Sequence, residues 1–186
     1  LRLWRSSQAP GWGEKSWFLD QELSGRAPVD IHIHDTDFVH ALLGEPETVT
    51  SRLLDDGKET SYIYSHFQYP DVEVYVEGGW VKGALPFNFG FEAIFEEAVL
   101  HNHDDDLVVY EIGKDPQPVD VKSEMSDHVY ANVSTMGPYV TENAYFLDCI
   151  DNNTPPSVVT PESAMASLNI VMKEVQSAKL KKTVRI

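Results

Sequence analysis

VDIHIHDTDF, Val29 to Phe38, sets three aspartates and two histidines among Val29, Ile31, Ile33 and Phe38. Read as a strand, the stretch projects His32 and His34 to one face, where both imidazoles could bind one metal with Asp30 or a later aspartate. Read as a helix, it brings Asp30 and His34 together at i and i+4, adds Asp37 one turn further on, and turns His32 elsewhere. The strand reading calls for a barrel of alternating strands and helices; the helix reading calls for a helix lying on a sheet.

Working outward, LRLWRSS at 1 to 7 alternates apolar and polar residues, the period of a half-buried strand. QAPGWG breaks it, and SWFLDQELSG has helix formers with Ser16 as cap and Gly25 as terminator. From Asp30, taken as the N-cap, Ile31, Phe38, Leu42 and Leu43 recur at helical spacing until Gly44 and Pro46 stop the run. TVTSRLL, TSYIYSHFQY, DVEVYVEGGWV, FNFGFEAIFEEAVL and LVVYEI follow, rich in Val, Ile, Tyr and Phe and separated by turn material such as DDGK, YPD and KGALP. Connections this short favour antiparallel neighbours, so 48 to 121 predicts a long antiparallel meander. DVEVYVEG puts Val72, Val74 and Val76 on one face and Glu73, Tyr75 and Glu77 on the other, so the sheet has one buried face and one polar or contact-making face. HNHDDD at 101 to 106 reads as a solvated turn. Two helices close the chain: Val140, Ala144, Leu147 and Ile150 make the apolar stripe of the first, and Ala164, Leu168, Val171 and Val175 that of the second, with Thr160 and Pro161 as its N-cap and first-turn pair. The order defines an α+β fold, a large mostly antiparallel open sheet with helices packed on one face. The strand reading of Val29–Phe38 finds no βα rhythm to support it.

Composition narrows the function. With 186 residues and 42% hydrophobic content the chain has material for one sizeable core. Thirty acidic against 14 basic residues give a net charge of −16, which repels phosphate backbones, so nucleic acid is not an expected partner. The apolar runs are short and interrupted by charge, so a membrane is not expected either. The single cysteine, Cys149, cannot form an internal disulfide, which fits a reducing cytoplasm. The chain starts with Leu1 rather than Met, as a fragment or processed product would.

On the helix, Asp30 beside His34 fixes the imidazole's tautomer, as a proton-transferring histidine requires. Asp35 and Asp37 read as structural, holding loops or the helix start. Trp12 and Trp17 in APGWGEKSW could wall a cleft or simply pack, with Lys15 between them.

Two families resemble the central motif. VDIHIHD is similar to the opening metal-binding strand of amidohydrolases and histidinol-phosphatase-like phosphoesterases. SGRAPVDIHIHDTDFVHALLGEPETVTS more fully resembles the second domain of the Gfo/Idh/MocA oxidoreductases, with its D-x-G/H-x-H-D-x-D signature, apolar helix and G-x-P-x-x-V. The likeness continues through DVEVYVEGGWV and LPFNFGFEAIFEEAVLHN to the closing helices and final strand, so it covers essentially the whole chain. Two departures stand out: the usual Gly-Gly lead-in is Gly25-Arg26, and Leu180 stands where a glycine precedes the last strand.

This second resemblance implies a glyceraldehyde-3-phosphate-dehydrogenase-like C-terminal domain over 1–186, the substrate and oligomerisation half of an NAD(P)-dependent dehydrogenase or reductase acting on a sugar or cyclic polyol. It implies that Asp30 and His34 are the catalytic pair, that Trp12, Lys15, Trp17 and His32 contact substrate, and that NAD or NADP is held by an N-terminal dinucleotide-binding domain this chain lacks. GWG at 11 to 13 has neither the third glycine nor the preceding apolar strand of a dinucleotide-binding turn. By itself the chain is expected to be inactive, and to form a homodimer or homotetramer through the open sheet face. A metal-dependent hydrolase using His32 and His34, or a non-catalytic assembly module, is the alternative.

Overall fold

The structure, a computed structural model, describes residues 1–12, 14–103, 106–120 and 137–186. Strand β1 (Arg2–Gln8) follows the alternation of LRLWRSS and buries Leu3. Strands β2 (Thr48–Asp55), β3 (Ser61–Gln68) and β4 (Glu73–Val81) form one antiparallel meander. Strands β5 (Asn88–Ile94), β6 (Ala98–His103), β7 (Asp106–Glu111) and β8 (Gln117–Pro118) form another. With β9 (Val184–Arg185) at the far edge they make a nine-stranded sheet in the order β8-β7-β6-β5-β1-β4-β3-β2-β9.

The α+β class and the mostly antiparallel sheet stand as the sequence predicts; only β1 and β4 pair parallel. One expectation fails. The meander is not continuous, because β1 lies between β4 and β5. A parallel neighbour needs a long crossover, and here the helical segment between β1 and β2 supplies it. FNFGFEAIFEEAVL also divides into β5 and β6 at a tight turn closed by the Phe95 amide donating to the Ala98 carbonyl (2.8 Å). His101 and His103 belong to strand β6 rather than to a solvated turn, and flank the Trp4 ring at 6.2 Å each.

Helix α2 (Ile33–Leu43) and helix α4 (Pro161–Leu180) pack on one sheet face. Between them and the sheet lie Leu3, Val39, Val49, Phe67, Val74, Val76 and Ile170. Val74 and Val76 are buried while Tyr75 is 52% exposed, the division the alternation predicts. Thr160 caps α4 in a reciprocal pair with Ser163, with Pro161 in the first turn. Val171 and Val175 face inward as expected, but Leu168 is exposed, and Ser167, Glu174 and Ser177 fill the rest of the buried stripe. Beyond Leu180, Lys181 takes the left-handed conformation (φ 55°) that a glycine would favour.

Helix α3 (Gly137–Asp151) forms over the predicted span, but Leu147 and Ile150 are each 59% exposed, and Cys149 is its buried apolar residue. The α2 stripe is likewise misread by spacing: Phe38, Leu42 and Leu43 are exposed, whereas Asp35, Thr36 and Val39 are buried. The buried face of this helix is mixed, with Val39 in the apolar core and Asp35 and Thr36 on polar partners. No helix among the described residues is long and apolar enough to cross a membrane.

Candidate active site

Before α2 the chain makes a 3-10 turn (Glu14–Leu19) and the short helix α1 (Gln21–Ser24). Asp20 rather than Ser16 caps α1, its carboxylate accepting from the amides of Glu22 (2.8 Å) and Leu23 (3.2 Å). Gly25 ends α1 at φ 72°, and Arg26 continues at φ 60°. Arg26 then turns inward. Its guanidinium donates to the carbonyls of Leu19 (2.8 Å), Lys58 (2.9 Å) and Thr60 (3.1 Å), and its Nε lies 3.1 Å from Asp55 Oδ2. It therefore ties the segment bearing Trp12 and Trp17 to the β2–β3 turn.

Helical geometry begins with Pro28 in the first turn, two residues ahead of the expected cap. Residues Pro28–His32 form a π-turn that runs directly into α2. Asp30 is thus inside the helix and caps nothing. Wide turns of this kind shift the phase of the side chains that follow, and are frequent at functional sites.

That phase sorts the motif. Asp30 and His34 both line a cleft of about 450 Å³, together with Trp12, Phe18, Trp80, Phe87, Tyr139 and Arg5. Burial raises the pKa of Asp30 above the ordinary carboxylate value, and the nearby charge of His34 partly offsets the rise. The remaining polar residues of the motif hold the helix. Asp35 accepts two hydrogen bonds from Arg5, from Nε at 3.1 Å and from Nη2 at 2.8 Å. Ser167 of α4 donates to Asp37 (2.6 Å) and sits 3.0 Å from His40 Nδ1.

The substrate contacts expected from the sequence divide. Trp12 is 66% exposed and lines the cleft. Trp17 stacks on Phe18 (4.2 Å) and does not line it. The backbone of Lys15 lies in the 3-10 turn, but its side chain is outside the described residues. His32 is corrected: it has no exposed surface and bonds Glu174 at 2.6 Å, because the helical turn points it away from its two neighbours in the motif and into the protein. The two histidines therefore do not meet on one point. Among the described residues no group of three His, Cys, Asp or Glu side chains could hold a metal ion.

Arg5, Trp80, Phe87 and Tyr139 were not foreseen at the cleft. For Arg5 the signal was present, since it follows buried Leu3 by two residues and so shares its inward face. Tyr139 comes from α3, far along the chain, and no local pattern announces it. A second groove, about 370 Å³, lies on the opposite sheet face among Arg2, Arg52, Tyr64, His66, Tyr75 and Glu77. Within it Arg2 pairs with Glu77 (2.8 Å), Arg52 donates to the Ser51 carbonyl (2.9 Å), and His66, stacked on Tyr75 at 4.6 Å, lies 2.6 Å from Glu73. It offers contact area rather than a reacting group.

The family model of the GFO/IDH/MocA C-terminal domain matches residues 1–85. Solved structures extend the shared fold over the rest of the chain. A levoglucosan dehydrogenase in complex with NADH and levoglucosan superposes with a TM-score of 0.77 at 18% identity, covering 100% of this chain and 58% of that one. The same enzyme with NADH and L-sorbose gives 0.77 at 17%, with the same coverage. An NAD binding oxidoreductase from Klebsiella pneumoniae gives 0.74 at 14%, again covering 100% and 58%. The chain thus spans somewhat over half the length of these structures. No curated protein sequence matches it.

Proposed function

We propose that this chain is the substrate-binding and assembly half of an oxidoreductase that moves hydride between NAD or NADP and a hydroxyl-bearing carbon of a sugar or cyclic polyol. The observation that carries this reading is the convergence of Asp30 and His34 on one aromatic-walled cleft. Aromatic faces suit the apolar face of a sugar ring, while Arg5, Asp30 and His34 offer donors and acceptors to its hydroxyls. A carboxylate and an imidazole at one point suit proton transfer at such a hydroxyl. The neighbours solved with levoglucosan and L-sorbose bind ligands of this class.

The described residues fit the substrate side of a nicotinamide site and not the dinucleotide side. Helices α2 and α4 open with Pro28 and with Thr160-Pro161, so neither presents a glycine-rich turn able to cradle a pyrophosphate. A bound nicotinamide supplies the hydride acceptor or donor. The work of this chain is at the oxygen: His34 takes the hydroxyl proton as the carbonyl forms and returns it in the reverse direction. Asp30 orients the imidazole and hydrogen-bonds the substrate. The aromatic residues on the open sheet face, Tyr64 and Tyr75 among them, suit a second copy of the chain.

The test is the natural polypeptide that contains this chain, assayed by nicotinamide absorbance against neutral sugars and polyols that include levoglucosan and L-sorbose. Asp30→Asn and His34→Gln should each lower kcat/KM by about 10²–10⁴-fold. Variants indistinguishable from the parent would refute the assignment.

A further inference from the structure

Glu174 and His32 are both wholly buried, and the role proposed above for the cleft uses neither. A carboxylate so placed is tolerated only when its oxygens are satisfied. Here they are. His32 Nε2 is hydrogen-bonded to Oε2 at 2.6 Å, Thr36 Oγ1 donates to Oε1 at 2.9 Å, and the Ser65 hydroxyl donates to Oε2. Behind Ser65 stands Ser51, 2.8 Å from it. One carboxylate on α4 thereby reaches the π-turn, α2 and β3.

Stability alone does not call for this arrangement, since an apolar pair of similar volume commonly serves a core as well or better. Its position is more telling. His32 is the last residue of the π-turn, two residues from Asp30 on one side and two from His34 on the other. The far side of its ring is closed as well. A Cβ placed on Gly78 would lie 3.2 Å from His32 Nδ1 and 3.0 Å from the Arg5 carbonyl. His32 Nδ1 is buried without a hydrogen-bond partner. The ring thus lies between its bond to Glu174 on one edge and the close approach of Gly78 on the other.

We propose that Glu174 is a positioning residue, which through His32 holds the π-turn in the geometry that turns Asp30 and His34 together into the cleft. This rests on the reading of Asp30 and His34 as the proton-transferring pair.

Two variants test it. E174L breaks the network on one side, and H32L/E174L replaces both partners by an apolar pair that should pack and fold. Carbon-13 NMR of the side-chain carboxyls follows the Asp30 titration in each, and steady-state kinetics of the natural polypeptide gives kcat and KM. In both variants Asp30 should titrate nearer the ordinary carboxylate value as the turn loosens and water enters. kcat should fall about 10–100-fold, as small misplacements of reacting groups produce, with KM changing far less. V171A, a buried α4 change that leaves His32 and Glu174 in place, controls for lost stability and should move neither readout. E174Q, which keeps the shape and an acceptor, should recover much of the loss. A folded H32L/E174L variant with parental kcat and an unmoved Asp30 overturns the proposal, and so does a V171A variant that loses as much kcat. Neither result touches the catalytic reading, which stands or falls on D30N and H34Q. Conversely, active D30N and H34Q enzymes would leave the displacement of Asp30 to be judged by NMR alone.

Discussion

Replacing Arg26 by alanine should be among the most damaging single changes available in this chain. The residue keeps φ at 60°, a left-handed conformation that costs a side-chain-bearing residue about 1–2 kcal/mol. That cost is outweighed by the guanidinium, only 3% exposed, with three carbonyl acceptors and Asp55 as its counter-ion. Hydrogen bonds to a charged group are worth about 1.5–3 kcal/mol each, but the Lys58 and Thr60 carbonyls sit at an exposed turn where water can replace the lost donor. Removal of one partner of a buried ion pair typically costs about 3–5 kcal/mol, and that is the loss expected for R26A. For a chain of this size it corresponds to a fall in Tm of roughly 6–20 °C. R26G should do better than R26A by about 1 kcal/mol, reversing the usual order, because glycine occupies positive φ without strain. Urea unfolding followed by tryptophan fluorescence reads both quantities, with Trp12 and Trp17 reporting on the segment Arg26 anchors. An R26A variant within about 1 kcal/mol of the parent, or an R26A more stable than R26G, refutes the reasoning, since removal of a real anchor exceeds the scatter of ordinary surface changes.

The raised pKa of Asp30 makes a second prediction, with the opposite sign. A carboxyl whose folded pKa lies above its unfolded value adds stability below the unfolded value and loses it as pH rises through the folded one. D30N should therefore be more stable than the parent at neutral pH, with the gap closing as pH falls below the ordinary aspartate range; a gap that widens on acidification refutes the burial argument. Metal analysis of the purified chain should find no zinc, manganese or iron that is lost in an H32A/H34A variant, because those two imidazoles point to different places. Stoichiometric metal that depends on the pair would restore the hydrolase alternative. Placing lysine at Tyr64 and Tyr75 should convert an assembled species into a monomer in sedimentation velocity without lowering Tm by more than a few degrees, since both side chains are about half exposed. Unchanged assembly would move the interface off this sheet face.

How much of this was legible in the sequence depended on the range of the interaction involved. Strand alternation in LRLWRSS and DVEVYVEG is a property of adjacent residues, so the sheet, its buried face and the fold class were readable. The position of β1 between β4 and β5 was not, because nothing in the residues after Val81 says that the next strand skips a neighbour. Helix faces failed where burial was polar. A hydrophobic count assigns Phe38, Leu42 and Leu43 to the core, yet the residues that face inward are His32, Asp35 and Thr36, whose partners Glu174 and Arg5 stand 142 and 30 positions away from His32 and Asp35 respectively. That same distance answers why Val29–Phe38 is so rich in titratable groups. Two of them open onto the cleft, and the rest form the polar seam through which α2 is held to β1 and α4. A helix secured by apolar packing alone can slide by small amounts at little cost, whereas directed hydrogen bonds to fixed partners define one position. On the proposed reading, precision in placing Asp30 and His34 is what proton transfer requires, and the unusual composition of the motif supplies both that pair and its supports within three helical turns.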